Sequence, residues 1–376
     1  MLDIETVHPR NLTPADLIAW REMAAATPAF HSPLMGPDFA RAVGAVRDDA
    51  RVAVIRRGGE TLGFLPYHRR PAAMARAIGS PLSDYHGLVT RADAGLDAAE
   101  VLRAADLTAY RYTGLIDPFG VFGRNETKTA HVIDLGGADA EAYLEAVRAA
   151  SPKKIKNWRR LDSKLEREMG SIDLVAADRS REAFDQLIAW KREQLERTGV
   201  HDFLRPQWVQ GLLLDLFQKR TGPFQGLMIT LYAGGELVAG HFGVRLDGVY
   251  HPWIASTNPA YGEWSPGQIF FMRAIAAMPG LGLHHYDLGP GHDHYKGAYA
   301  LNQVQIGDGT ATASTMAGRM AHSLDGVMIR AGSKGQGPVG RLTRRMESIS
   351  SVELTLGGRM RGLVDAFANQ AQRRGG

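Results

Sequence analysis

Apolar positions recur at helical spacing over Thr13–Ala26, where Thr13 supplies a cap and Pro14 suits the first turn, and again over Pro37–Val46. The pattern then shifts to β-branched and apolar runs at Arg51–Arg57 and Thr61–Tyr67. They flank Gly58-Gly59 and predict a hairpin. Helices are predicted at Ala98–Ala105 and Ala138–Ala149, and strands at Tyr110–Ile116 and Thr129–Leu135. Ser151-Pro152 marks a new helix start, with a basic helix predicted to Met169. A strand at Ile172–Ala176 follows, then helices at Arg181–Arg197 and Gln207–Lys219. Leu227–Ala233, Leu237–Leu246 and Val249–Ser256 are separated by Gly234-Gly235 and Asp247-Gly248, which predicts a three-stranded antiparallel meander. A helix at Ser265–Met278 and strands at His285–Leu288 and Asn302–Ile306 complete this part.

The order of elements predicts an α/β (α+β) fold in two related units, 1–150 and 151–310, followed by a Gly-, Arg- and Met-rich tail over 311–376. In that tail Gly332–Gly340 reads as a joint, and Val339–Ile349 and Gly358–Gln372 as short amphipathic helices. The absence of cysteine excludes disulfides, a thiol nucleophile and thiolate metal sites. No apolar run reaches the length of a membrane span, and Met1–Arg10 has no leader-like core, so a cytoplasmic location is expected. The formal charge of +4 is unevenly distributed: Met316–Gly376 carries +6 and Ser151–Gly170 carries +4, leaving −6 elsewhere. Anionic partners are expected at these two places.

Candidate chemistry concentrates in Tyr250–Tyr299. Ser265-Pro266-Gly267-Gln268 opens an apolar helix, and its free amides and dipole favour an anion such as a diphosphate. Downstream, a short strand ends in Tyr286-Asp287-Leu288-Gly289-Pro290-Gly291, and Tyr295-Lys296-Gly297 follows. Tyr261, Ser265-Pro266-Gly267, Asp287-Leu288-Gly289 and Tyr295-Lys296, in that order, resemble the GNAT-like acetyltransferases of the CelD/BcsL group, which are related to the Fem-type aminoacyltransferases. Phe64-Leu65-Pro66, Ser83-Asp84-Tyr85 and the Lys-rich helix from Ser151 resemble earlier landmarks of the same family, so the likeness runs from Phe30 to Ile306.

The resemblance implies tandem GNAT folds and transfer of an acyl group from acetyl-CoA, or another acyl-CoA, to an amine. It places Ser265, Gly267 and Gln268 at the cofactor diphosphate. The fuller Arg/Gln-x-x-Gly-x-Gly/Ala loop of ordinary GNAT proteins is missing, which leaves the donor open. Asp287 is the candidate to take a proton from the amine or to orient it, Lys296 to stabilise the developing oxyanion or an anionic substrate group, and Tyr295 to protonate the leaving thiolate or only to pack. Lys153, Lys156 and Arg160 share a helix face suited to phosphates, while Asp84, Tyr85 and Tyr261 are candidates on the acceptor side. His292 and His294 are considered as acid or base, and no metal is expected. In the tail, Arg341, Arg344 and Arg345 are read as contacts for an anionic membrane surface or a nucleotide regulator such as cyclic di-GMP. The expected activity is N-acylation of an amino sugar or lipid-linked glycan precursor in exopolysaccharide assembly, peripheral to the inner membrane face and with no DNA partner. Fem-like transfer from aminoacyl-tRNA and a non-catalytic, nucleotide-regulated GNAT module are the alternatives.

Overall fold

A computed structural model describes residues 2–123, 126–291, 296–330, 337–353, 357 and 360. Its strands are β1 Asp3–Val7, β2 Ala50–Arg57, β3 Glu60–Arg69, β4 Met74–Ala77, β5 Val89–Thr90, β6 Ala109–Leu115, β7 Glu126–Asp134, β8 Ile172–Val175, β9 Phe224–Ala233, β10 Glu236–Leu246, β11 Val249–Thr257, β12 His285–Pro290 and β13 Asn302–Thr312. Its helices are α1 Pro14–Ala26, α2 Pro37–Val46, α3 Ala98–Ala104, α4 Ala140–Ala150, α5 Pro152–Met169, α6 Arg181–Thr198, α7 Gln207–Gln218, α8 Pro266–Ala277, α9 Lys296–Tyr299, α10 Met316–Arg330 and α11 Pro338–Val352.

The chain divides into two compact units, neither of them continuous in sequence. Unit 1 comprises Met1–Lys128, Glu196–Leu212 and Gln305–Gly376, and unit 2 comprises Thr129–Leu195 and Leu213–Val304. Ser151, the boundary expected from composition, lies inside unit 2 between α4 and α5.

In unit 1, β1, β2, β3 and β4 pair antiparallel in sequence order, β4 runs parallel to β6, and β13 pairs antiparallel with β6. The Gly58-Gly59 turn has positive φ at both residues, as a tight two-residue hairpin requires. At the start of α1, Thr13 Oγ1 accepts from the Asp16 N–H and Asp16 Oδ2 accepts from the Thr13 N–H, a reciprocal capping box. Trp20 of α1 stacks on Phe64 of β3 with ring centroids 4.9 Å apart.

Helix α11 belongs to this core. Ile349 and Val352 are buried, Trp208 Nε1 donates to the Val352 carbonyl at 3.0 Å, and Arg47 lies over the Trp208 ring. The end of the chain therefore does not read as a detached tail as far as Val352.

Unit 2 is a mixed sheet in the order β7-β12-β11-β10-β9-β8. β8 to β11 are antiparallel neighbours, β12 runs parallel to β11, and β7 pairs antiparallel with β12. Residues of β10 alternate between its faces. Gly240 and Phe242 meet Leu187 and Phe184 of α6, whereas His241 meets Phe270 and Phe271 of α8. Ile155, Trp158, Leu161 and Leu165 turn the apolar stripe of α5 into the same core as α8. Each unit is thus a mixed sheet flanked by helices, the α/β (α+β) architecture expected.

The sequence pattern misses β1 and β4. It also ends β13 at Ile306, whereas the strand continues to Thr312. These segments are polar or alanine-rich, and their extended form is set by partner strands rather than by their own side chains.

A chain ending at Arg330 should lose the burial of Ile349 and Val352, which is about 1.5–3 kcal/mol for each side chain. Urea denaturation should therefore show a clearly lower midpoint than that of the full chain. An unchanged midpoint would show that α11 adds nothing to unit 1.

Candidate active site

In unit 2 the parallel neighbours β11 and β12 are in register only at Val249 with His285 and Tyr250 with Tyr286. β11 nevertheless runs on to Thr257 and β12 to Pro290, so the two strands part toward their carboxyl ends. A bulge on each strand drives them apart. On β11 the register with β10 shifts at Phe242/Gly243, where Pro252 lacks an N–H and Trp253 is the extra residue. A Cβ on Gly243 would lie 2.1 Å from the His251 carbonyl oxygen, so only glycine fits there. On β12 the register with β7 shifts between Asp287 and Gly289, leaving Leu288 as the extra residue. Gly289 has φ +67°, and Asp287 Oδ1 accepts its N–H at 2.8 Å. Asp287 is buried, and its Oδ1 is also 3.6 Å from Nδ1 of the buried His251. In this structure its carboxylate therefore fixes the bulge.

Helix α8 begins at the carboxyl end of β11. Ser265 adopts the left-handed conformation (φ +51°), and its side chain makes no cap hydrogen bond. Pro266 has no N–H, while the amides of Gln268 and Ile269 return to the Ser265 carbonyl at 2.9 and 3.5 Å. The Gly267 N–H has no hydrogen-bond partner among the described residues. A Cβ on Gly267 would lie 3.1 Å from Thr257 Cγ2, so the turn sits tightly against the end of β11. Gln268 Oε1 is buried and also unpartnered among the described residues.

The short helix α9 is tied to this turn. Tyr299 donates its hydroxyl to the Gln268 carbonyl at 2.6 Å, stacks on Trp158 at 4.6 Å and receives a hydrogen bond from Tyr143 on its own carbonyl at 2.7 Å. Burial raises the Tyr299 phenol well above its ordinary pKa and pushes that of Tyr143 up to about 12, so both remain proton donors. Lys296, one turn before Tyr299, donates from Nζ to the Pro290 carbonyl at the end of β12 (3.0 Å). Helix α9 thus links the first turn of α8, through Tyr299, to the end of β12, through Lys296, on the side where the parallel strands have separated.

Beneath them lies a pair that spacing alone does not reveal. His241 Nδ1 and Tyr286 Oη are 2.6 Å apart inside the apolar core. Burial pushes the His241 pKa down to about 3, and the charges of Lys191 and Lys296 push the same way. The ring is therefore neutral at pH 7.

The structure distributes the remaining candidates widely. Tyr261 is buried beside Trp264 in the unit 2 core. Lys153, Lys156 and Arg160 lie on the exposed face of α5, with Arg160 donating to Asn157 Oδ1 at 3.1 Å. Asp84 and Tyr85 belong to unit 1, in a loop held by His86. His86 accepts the Thr113 and Gly114 amides on Nε2 at 3.1 and 3.2 Å. Arg345 donates to the Gly199 carbonyl at 3.2 Å. Arg341 and Arg344 lie on α11, but their side chains are outside the described set, as are Tyr295, His292 and His294. Among the described residues no group of three His, Asp or Glu side chains is placed to hold a metal ion.

Residues 152–297, which contain the parted strands, the α8 turn and Lys296, match a family model described as an acetyltransferase (GNAT) domain. This segment is a GNAT domain. The chain accordingly contains an acyltransferase domain of the GNAT type. The structure of FemX shares the fold, with 10% identity and a TM-score of 0.51 over 85% of this chain and 99% of that one. Also similar are the C-terminal domain of a putative lysylphosphatidylglycerol synthetase from Agrobacterium fabrum (11% identity, TM-score 0.49, 84% and 96% covered) and a tandem GNAT protein from the clavulanic acid biosynthesis pathway (11%, 0.45, 84% and 99%). A search of curated proteins finds no match.

The His241 pKa fixes a pH dependence for the GNAT domain. Only the unfolded chain, with an ordinary value near 6.5, takes up this proton, so the stabilisation is complete above pH 6.5 and is lost as pH falls toward 3. Between these limits the stability should fall by up to about 1.4 kcal/mol per pH unit from this group. His241→Gln should remove about one proton from the slope of unfolding free energy against pH. An unaltered slope would contradict a neutral, buried His241.

Proposed function

We propose that the chain is a CelD/BcsL-type, acyl-CoA-dependent N-acyltransferase acting on an amino sugar or a lipid-linked glycan precursor in bacterial exopolysaccharide assembly. The observation carrying this reading is the opening between β11 and β12, with the Gly267 amide at its mouth and Lys296 beside it. The residues suit a diphosphate: a left-handed Ser265, a proline and then a glycine amide with no partner among the described residues form a compact anion-binding turn. Ser265, Gly267 and Gln268 hold the donor there, and acyl-CoA supplies the activated acyl group. Lys296 offers its positive charge to the carbonyl oxygen on which negative charge gathers. Asp287, engaged by the Gly289 amide, orients the end of β12. Tyr295 is assigned to protonate the leaving thiolate. The exposed Lys153, Lys156 and Arg160 face provides cations for phosphates of the donor or acceptor.

A lipid-borne acceptor is supported by α10. Met316, Met320, Leu324 and Val327 recur on one face of this helix and are 72, 62, 64 and 57% exposed, with the exposed Arg319 beside them. Such a helix lies in a membrane interface with its apolar side inward. Among the described residues no helix is long and apolar enough to cross a membrane.

Wild-type chain should bind acetyl-CoA in calorimetric titration, and absence of binding would remove acetyl-CoA as donor. Lys296→Ala should lower kcat/KM by about 10²–10³-fold with the far-ultraviolet circular dichroism unchanged. Retained turnover in that variant would take Lys296 out of the reaction. In vesicle sedimentation the protein should associate with anionic phospholipid more than with zwitterionic phospholipid, and Leu324→Asp should weaken that association. Indifference to the substitution would detach α10 from the membrane.

A further inference from the structure

Unit 1 holds a second basic centre that acyl transfer does not use. A cavity of about 200 Å³ is lined by Arg70, Pro71, Met74, Arg76, Arg111 and Ser350. Arg76 of β4 and Arg111 of β6 are direct partners in the parallel register, and Thr310 of β13 is the next partner across from Arg111. Like charges set opposite each other weaken a sheet, so this arrangement costs stability unless an anion lies between them.

Helix α11 meets the arginines with polar groups. Glu347 forms an ion pair with Arg111, and Ser351 Oγ accepts from Arg76 Nη1 at 3.0 Å. The Ser350 and Ser351 carbonyls accept from Arg70 Nη2 at 2.8 and 3.4 Å. Asp49 lies 3.5 Å from Arg70, but its two oxygens are taken by a bidentate pair with Arg47 at 2.8 Å each, and Oδ1 also lies 3.0 Å from His68. The Arg70 and Arg111 side chains are 11 and 19% exposed, so their charges are little screened by water.

Planar guanidinium forks converging on one space match the tetrahedral oxygens of a phosphoryl group. Pro71 and Met74 give the same space an apolar wall. We propose that this cavity binds a phosphomonoester. Its phosphoryl group sits among Arg70, Arg76 and Arg111, its organic part lies against Pro71 and Met74, and Glu347 competes with it for Arg111. Occupancy is thereby linked to the seating of α11.

The test is calorimetric titration of the full chain with glycerol 3-phosphate and, separately, sedimentation with vesicles containing phosphatidic acid. Saturable binding of the soluble probe identifies a free phosphomonoester as the ligand class, and vesicle retention lost in Arg76→Gln identifies a lipid headgroup. In either arm Arg76→Gln should weaken binding by about tenfold or more. Glu347→Gln should tighten binding, because it removes the competing carboxylate; a purely structural Glu347 would leave binding unchanged or weaken it. If Arg76→Gln fails to fold, Arg76→Lys keeps the charge without the fork and must still weaken binding. Neither probe binding, binding indifferent to Arg76, or no tightening in Glu347→Gln would each overturn the proposal.

Discussion

The hydrogen bond from the Gly289 amide to Asp287 is the small constraint on which the geometry of unit 2 turns. It holds a bulge in β12, and the bulge takes that strand out of register with β11 after two pairs of aligned positions. A regular parallel pair would close the sheet with evenly spaced ladder bonds and leave no entry for a ligand. The second bulge, where Pro252 cannot donate and Gly243 cannot be replaced by a larger residue, bends the opposite side of the same opening. The opening thus rests on a local failure of β-pairing that two short polar and glycine contacts maintain.

Around that opening, most supporting contacts are polar groups buried in an apolar setting. Tyr299 joins α9 to the first turn of α8 through one hydroxyl, and Trp158 clamps the ring that carries it. His241 and Tyr286 satisfy each other in the core below. Such bonds are worth only about 1 kcal/mol each when formed, but an orphaned partner at the same place is more costly. They therefore specify one arrangement of α8, α9 and β12 more than they raise overall stability.

Local chemistry made much of the fold legible in the sequence. Thr13-Pro14, Gly58-Gly59, Gly234-Gly235 and Asp247-Gly248 each announce a cap or turn whose geometry the structure contains. The boundary positions of α2 and the meander follow from the same signals. β4 was not legible, because Met-Ala-Arg-Ala carries no strand pattern and is extended only by pairing with β3 and β6. In the candidate site, Ser265–Gln268 and Lys296 were marked by their neighbours in sequence. The His241–Tyr286 pair spans 45 positions, and the Asp287 bond to Gly289 depends on a bulge, so neither leaves a linear signature. The arginine row of unit 1 was hidden for the same reason: register across strands, not spacing along the chain, brings Arg76 to Arg111.

The discontinuity of unit 1 has a consequence for biosynthesis. Its sheet needs β13 beside β6, and its core needs Ile349 and Val352, all supplied by a segment made after the whole of unit 2. Unit 2 has its whole sequence by Val304. The early-made half of unit 1 must therefore wait, with the β6 edge and the Arg70–Arg111 region uncovered, until β13 and α11 have been made. Unit 2 can mature first, which reverses the order in which vectorial synthesis usually completes its domains.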